Sequence, residues 1–296
     1  MKTITREFVV VALSLACWTA DAVGREDEPE YFSDMPVVLS ASRLTQTLDA
    51  APAAVTVIDQ RTIKASGARD LTGLFRLVPG MTVGLYNGRK AILGFHGFSD
   101  PYFRQFQVLI DGVSIYSPMW GGGEWSELPI AIEDIERLEV VRGPNAAAII
   151  TRDPATENRF EAATNIGESG IRDVLVRMAA HEGDLRYRLT AGQRVDTGLD
   201  SYPDDRRSNF VNLRGHYRLT GESELRLQAY YAGGLTQDGN YSDKSNTING
   251  PRDGNHDLGM LQLRWTRMRG ADEEFWLQLF HSTRSHRETL PWLMIL

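Results

Sequence analysis

The 296-residue sequence contains a single cysteine, Cys17, which excludes an intrachain disulfide framework and a cysteine-rich zinc site. Apart from a short run at the start, no apolar stretch approaches the ~20 residues of a membrane-spanning helix. Basic charge is not in excess. The 32 Lys and Arg stand against 39 Asp and Glu, a formal net charge of -7, so the footprint of a nucleic-acid binder is missing. The six histidines show no metal-ligand spacing beside a carboxylate. No Gly-x-Ser-x-Gly nucleophile motif occurs. An enzyme is therefore not expected, and no catalytic residue, metal or cofactor is assigned.

The first residues carry Lys2 and Arg6, an apolar run from Phe8 to Trp18, and the small pair Ala20 and Ala22 around Asp21. This is the pattern of a cleaved signal peptide over 1–22, and it predicts export. Ser14 stands where a lipoprotein reading of Cys17 needs leucine. Residues 23–33 form an acidic leader with Glu26, Asp27, Glu28 and Glu30 and no apolar period.

Between 34 and 152, strand and helix patterns alternate as in a compact α/β unit. Residues 53–59 are rich in β-branched side chains and read as a strand. Residues 60–65 read as a short helix. Residues 70–78 read as another, capped by Asp70, with Leu71, Leu74, Phe75 and Val78 on one face and Pro79-Gly80 after it. Residues 81–85 read as a strand, 86–104 as a glycine- and aromatic-rich loop, and 108–110 and 138–141 as buried strands. Asp111-Gly112 reads as a turn.

After 152 the pattern changes to long period-2 alternation. Val211, Leu213, Tyr217 and Leu219 alternate with Asn212, Arg214, His216 and Arg218. Equivalent runs occur around 185–192, 225–231, 261–266 and 275–280, and weaker ones at 160–166 and 171–180. Each strong run is close to the ~9–11 residues of a tilted membrane-crossing strand, apolar on one face and polar on the other. A soluble sandwich also alternates. Arginines recurring on one face, and connections alternating short and long, favour a barrel wall.

Val108-Leu109-Ile110-Asp111-Gly112, together with the run Asp134-Ile135-Glu136-Arg137-Leu138-Glu139-Val140-Val141-Arg142-Gly143-Pro144, resembles the plug of TonB-dependent outer-membrane receptors. The resemblance implies an α+β plug domain followed by antiparallel transmembrane β-strands, a partial β-barrel. Its divisions are signal peptide 1–22, leader 23–33, TonB box and plug 34–152, and about seven barrel strands over 153–296. Asp34-Met35-Pro36-Val37-Val38-Leu39-Ser40 resembles the TonB box, which adds as a strand to the periplasmic C-terminal domain of TonB; Pro36 suits an edge strand.

By the same resemblance, Tyr86, His96, Arg104, Tyr116, Trp120 and Trp125 lie in apical loops that meet a small nutrient ligand. Glu136, Arg137, Glu139 and Arg142 match the charged strand that contacts the barrel and gates the plug, with Arg142 paired to barrel glutamates. The other implied partner is outer-membrane lipid. Two departures stand out. Leu93 or His96 occupies the place of a family arginine. After Pro144, Asn145-Ala146-Ala147-Ala148 runs straight into Ile149-Ile150-Thr151, so the first half of the plug's closing strand reads as deleted.

At roughly 15–20 residues per strand and connection, residues 160–296 supply roughly seven to nine strands. A plug ~35 Å across needs far more, since plugged barrels have ~22. The tail, Leu290-Pro291-Trp292-Leu293-Met294-Ile295-Leu296, does not alternate. The expectation is a truncated receptor for an iron-siderophore, cobalamin or other metal complex in the bacterial outer membrane. The alternative is an inactive fragment, or a module that binds ligand or TonB with its plug alone.

Overall fold

The computed structural model describes residues 37–38, 46–47, 54–87, 90–95, 98–100, 107–116, 125, 128, 130–141, 146–154, 159–200, 202–239, 250–270 and 273–289. Two short strands, β1 (Val37–Val38) and β2 (Gln46–Thr47), pair antiparallel. Strand β3 (Val55–Asp59) follows, and its last residue caps helix α1 (Gln60–Ala65) by accepting a hydrogen bond from the Thr62 N–H at 2.8 Å. Asp70 caps α2 (Leu71–Leu74) in the same way, from the Gly73 N–H at 3.1 Å.

The single helix expected over 70–78 is shorter and tighter. α2 passes into one 3-10 turn at Phe75–Leu77, and Val78 is extended at φ -86°, ψ 119°. Pro79 is the cause, because its ring clashes with a helical preceding residue. Leu71, Leu74, Phe75 and Val78 all enter the core, as their spacing requires.

A five-stranded sheet follows in the order β3-β9-β10-β7-β8, where β7 is Gln107–Ile110, β8 Val113–Ser114, β9 Ile135–Val141 and β10 Ala146–Thr151. Only β7 and β10 pair parallel. A separate three-stranded sheet contains β4 (Met81–Asn87), β5 (Lys90–Phe95) and β6 (Phe98–Asp100).

Two expectations are corrected. Much of 86–104, read as loop, is strand. Ala91 and Leu93 point into the core in alternation, a period hidden by the glycines and aromatics around it. The closing strand is not half deleted either. Ala146, Ala147 and Ala148 form its first half and pair with both β9 and β7. Ala147 and Ile149 are fully buried, so small side chains suffice in the middle of this sheet.

The remaining strands form one antiparallel sheet in chain order: β11 (Arg159–Ile166), β12 (Arg172–Glu182), β13 (Leu185–Asp196), β14 (Arg206–Thr220), β15 (Ser223–Asp238), β16 (Arg252–Arg269) and β17 (Glu273–Thr289). Among the described residues this seven-stranded wall is open, with β11 and β17 at its edges. The alternation falls as expected. Val211, Leu261 and Leu279 are exposed on the outer face, while Arg188, Asn212 and Gln228 are buried on the inner.

Strands β14 to β17 run 15 to 18 residues, longer than their apolar stretches. Beyond the apolar part the ladder continues through polar outer residues. Tyr231 Oη donates to Asp257 at 2.6 Å and Gln237 Nε2 to Asp253 at 3.0 Å. Such positions carry no hydrophobic signal.

Hydrogen bonds from Thr62 hold the Asp59 carboxyl below its ordinary range. For Asp70, burial pushes upward, but hydrogen bonds from Thr72 and Gly73 outweigh it and leave that carboxyl lowered too. Both contributions are present above the unfolded value of ~3.9 and are lost as pH falls through the lower folded values. Asp70→Ala is expected to lower stability by about 1 kcal/mol at neutral pH in urea unfolding. The loss should shrink below about pH 4; a loss constant down to pH 2 would remove the capping account.

Candidate functional site

The α/β unit meets the inner face of the wall through buried charge. Asp134 ends a 3-10 turn, Ile132–Asp134, just before β9, and it is 0% exposed. Its Oδ1 lies 2.9 Å from Arg177 Nε, 2.8 Å from Arg177 Nη2, 2.9 Å from the Thr190 hydroxyl and 3.4 Å from Arg188 Nε. Asn212 Nδ2 donates to Oδ2 at 3.2 Å. Arg177, Thr190 and Asn212 stand opposite one another in a single cross-strand row of β12, β13 and β14. The row works because period-2 alternation turns all three inward. A carboxylate this deeply buried is tolerable only with such partners. The main chain reinforces it, since the Arg152 N–H donates to the Asp134 carbonyl at 2.8 Å and Arg188 Nη1 donates to the Arg152 carbonyl.

Toward the long-loop end, Arg69 leaves the turn between α1 and α2. It grips Asp173 with Nε and Nη2, both at 2.6 Å, and reaches Asp196 with Nη1 at 2.8 Å. Burial pushes this guanidinium's pKa down, but the hydrogen bonds to Asp173 and Asp196 outweigh it and raise it above its ordinary value. Asp196 also holds Arg206 at 2.7 Å.

Toward the short-turn end, Asp111 and Gly112 form the β7–β8 turn with φ 46° and 85°, both left-handed as a tight two-residue hairpin needs. The Asp111 carboxylate accepts from the Thr151 N–H at 2.9 Å and hydroxyl at 2.7 Å. From the wall it meets Tyr230 Oη at 3.1 Å and Arg214 Nη1 at 3.3 Å. Arg214 Nη1 also donates to the Thr151 carbonyl at 2.9 Å and contacts its hydroxyl.

Between these three layers much of the contact is apolar, beside one hydrogen bond from Arg194 to the Ile130 carbonyl at 3.1 Å. Tyr230 and Met260 belong to the core of the α/β unit, while Ala131 packs with Leu175, Phe210 and Ala232.

A family model for the TonB-dependent Receptor Plug Domain matches residues 47–155. The chain carries a TonB-dependent receptor plug. It is 36% identical over 113 residues to a vitamin B12 transporter, BtuB, of Vibrio vulnificus, covering 38% of this chain and 18% of the relative. It is 30% identical over 118 residues to an iron-regulated outer membrane virulence protein of Vibrio cholerae, covering 38% and 17%. The chain thus spans about a fifth of the length of these curated relatives. The ferripyoverdine receptor of Pseudomonas aeruginosa, solved with ferripyoverdine, superposes on 86% of this chain with a TM-score of 0.71 at 14% identity, using 37% of its own length. That likeness extends the shared fold past the plug into the seven-stranded wall.

The residues expected from sequence to act are only partly brought to this interface. Val37 and Val38 pair with Thr47 and Gln46, whereas Asp34, Met35, Pro36, Leu39 and Ser40 lie outside the described residues. Tyr86 lies in β4 and Tyr116 is exposed just after β8; His96, Arg104 and Trp120 lie outside the described residues. Trp125, expected to face ligand, is a core residue instead. It is 8% exposed and meets Phe75 edge to face at 5.3 Å.

The charged strand departs as well. Arg137 turns to its neighbours, Glu139 at 2.8 Å and Glu136 at 3.3 Å, and not to the wall; Arg142 lies outside the described residues. Plug-to-wall pairing is carried by Arg69, Asp111 and Asp134. Asp111 had a clear turn signal, but nothing in its local pattern shows that the turn abuts an arginine a hundred residues later.

Arg69→Ala leaves Asp173 without its bidentate partner, while Arg206 still holds Asp196. For this partly exposed pair the expected loss is about 2 kcal/mol in urea unfolding, largely restored by Arg69→Ala/Asp173→Asn. A double variant as unstable as the single one would show that the pair is not the cause.

Proposed function

We propose that this chain is the plug and first barrel strands of an outer-membrane receptor that imports a scarce nutrient under TonB control. The observation that carries the reading is a folded plug seated by buried ion pairs on the polar face of a wall whose other face is apolar. Lipid suits the outer face. Leu213, Leu227, Leu263 and Leu279 continue one outer band across four strands, the last three paired directly in succession, and 15–18-residue strands exceed the ~9–11 needed to cross. Export through the segment 1–22 delivers the chain to that membrane.

Energy enters at 34–40. Strand addition to TonB needs free backbone donors and acceptors. Val37 and Val38 already adopt strand geometry against β2, so these two residues are extended before TonB arrives. Tension on it then loosens the plug from the wall, and no bond in the ligand breaks. The nutrient is a metal-chelate or cobalamin type of ligand, a reading supported by the V. vulnificus relative named a vitamin B12 transporter and by the structural neighbour solved with ferripyoverdine.

A second reading is that this chain binds TonB or ligand with its plug and does not conduct. Uptake of labelled cobalamin and ferric chelates by cells exporting only this chain separates the two; export without uptake leaves binding alone.

Val38→Pro removes a backbone donor from the proposed TonB strand and should abolish pull-down by the TonB C-terminal domain. Undiminished capture would place the TonB contact elsewhere. Leu227→Arg on the outer band should cost about 2–4 kcal/mol in a bilayer, read as loss of membrane-inserted protein, whereas Arg at a solvent-facing position should be tolerated. Normal insertion of Leu227→Arg would sink the lipid assignment.

A further inference from the structure

Every side chain that holds Asp134 belongs to the wall, and the carboxylate they hold belongs to the plug. Arg177, Thr190 and Asn212 are fixed by ladder pairing in one row, and Arg188 lies two residues along β13 on the same face. The cup therefore owes its shape to the sheet and keeps it when the plug segment departs. Its donors are two guanidinium groups, a hydroxyl and an amide, directed at one carboxylate. That is the donor set of an oxyanion site.

Charge balance points the same way. With the plug seated, Arg177 and Arg188 are balanced by Asp134 and by Glu161, which pairs with Arg177 from β11. On the same inner face, Arg214 meets Asp111 of the plug, and Arg194 donates to the Ile130 carbonyl at 3.1 Å and lies over the Phe210 ring. Departure of the plug takes away Asp111 and Asp134 and leaves Arg177, Arg188 and Arg214 facing Glu161; nearer the long-loop end Arg69 departs as well, so Asp173 and Asp196 remain to balance Arg194 and Arg206. The cationic surplus therefore lies at Arg177, Arg188 and Arg214, on β12, β13 and β14.

We infer that Arg177, Arg188, Thr190 and Asn212 are an oxyanion-binding site of the wall, filled in this arrangement by the plug's Asp134 and taken over by an anionic group of the ligand when the plug yields. The inference rests on the proposed receptor function and narrows it, favouring a ligand with carboxylate or other oxyanion groups over a neutral one. Asp134 is then a resident stand-in. It neutralises the site in the closed state and is exchanged for cargo in the open one.

The test uses the full chain folded in detergent, with Asp134→Ala vacating the site and sodium citrate as the probe against sodium chloride at matched ionic strength. Citrate should raise the unfolding midpoint of Asp134→Ala saturably, by about 5 °C at 100 times its Kd, and leave the native chain unmoved. Adding Arg188→Gln to Asp134→Ala should remove the response. Where Asp134→Ala does not fold in chloride, refolding yield is read instead, and rescue by citrate supports the site. No citrate-specific shift and no rescue would overturn the inference, as would an equal shift in the native chain. TonB capture is measured separately on the same protein, so capture without a citrate response defeats this inference alone, and loss of capture defeats the receptor reading.

Discussion

The plug and the wall are held in one register by a carboxylate that neither water nor lipid touches. Asp134 has no exposure, and its partners lie on three consecutive strands. An ionised group in that position is costly unless its bonds are made, and removing one partner leaves a charge stranded. The plug therefore cannot slide by a residue along β13 without misplacing Asp134 against its row. Arg69 and Asp111 impose the same condition at the two ends. Three such points fix a body against a surface, which the apolar contacts between Ala131, Leu175, Phe210 and Ala232 do not do alone, because hydrophobic contact is non-directional.

The wall meets two environments, and period-2 alternation sorts them. Side chains opposite one another on neighbouring strands share a face, so one polar residue in three successive strands makes a cup, while the intervening residues make an apolar band. Slipping one strand by a single residue would turn arginines outward and leucines toward the plug. Plug pairing and the apolar outer face thus enforce the same register, and each supports the other.

This explains what was readable beforehand. The alternation of Val211, Leu213, Tyr217 with Asn212, Arg214, His216 is local, and it located both the strands and their faces. The Asp70 cap is local as well, and so is the Asp59 cap that the structure adds. Tyr230 and Met260 are apolar residues on the inner face, and a binary pattern reads them as noise because their reason is a plug core far away in sequence. Arg69, Asp111 and Asp134 find partners 40 to 127 residues distant, and no spacing rule reaches that far. The alanines of β10 misled because the stretch after Pro144 is shorter than the family pattern it resembles, and a strand begun by small side chains gives little signal of its own. Trp125 misled because a tryptophan beside three glycines resembles a binding loop until Phe75 is placed against it.

An ionic interface also suits the proposed receptor, in which the plug would stay and then leave. Separating two apolar surfaces in water costs in proportion to the area uncovered, and the cost grows throughout the separation. A buried ion pair behaves differently. Its large attraction is offset by a large desolvation term, and both vanish together once water reaches the charges. The first displacement, before water enters, is steep; the rest is shallow. The plug is thus firm against thermal motion and separable under directed force. In the proposed receptor, Arg177, Arg188 and Arg214 would stay on the wall afterwards, hydrated or paired anew, and the same three residues that seat the plug would line the space it vacates.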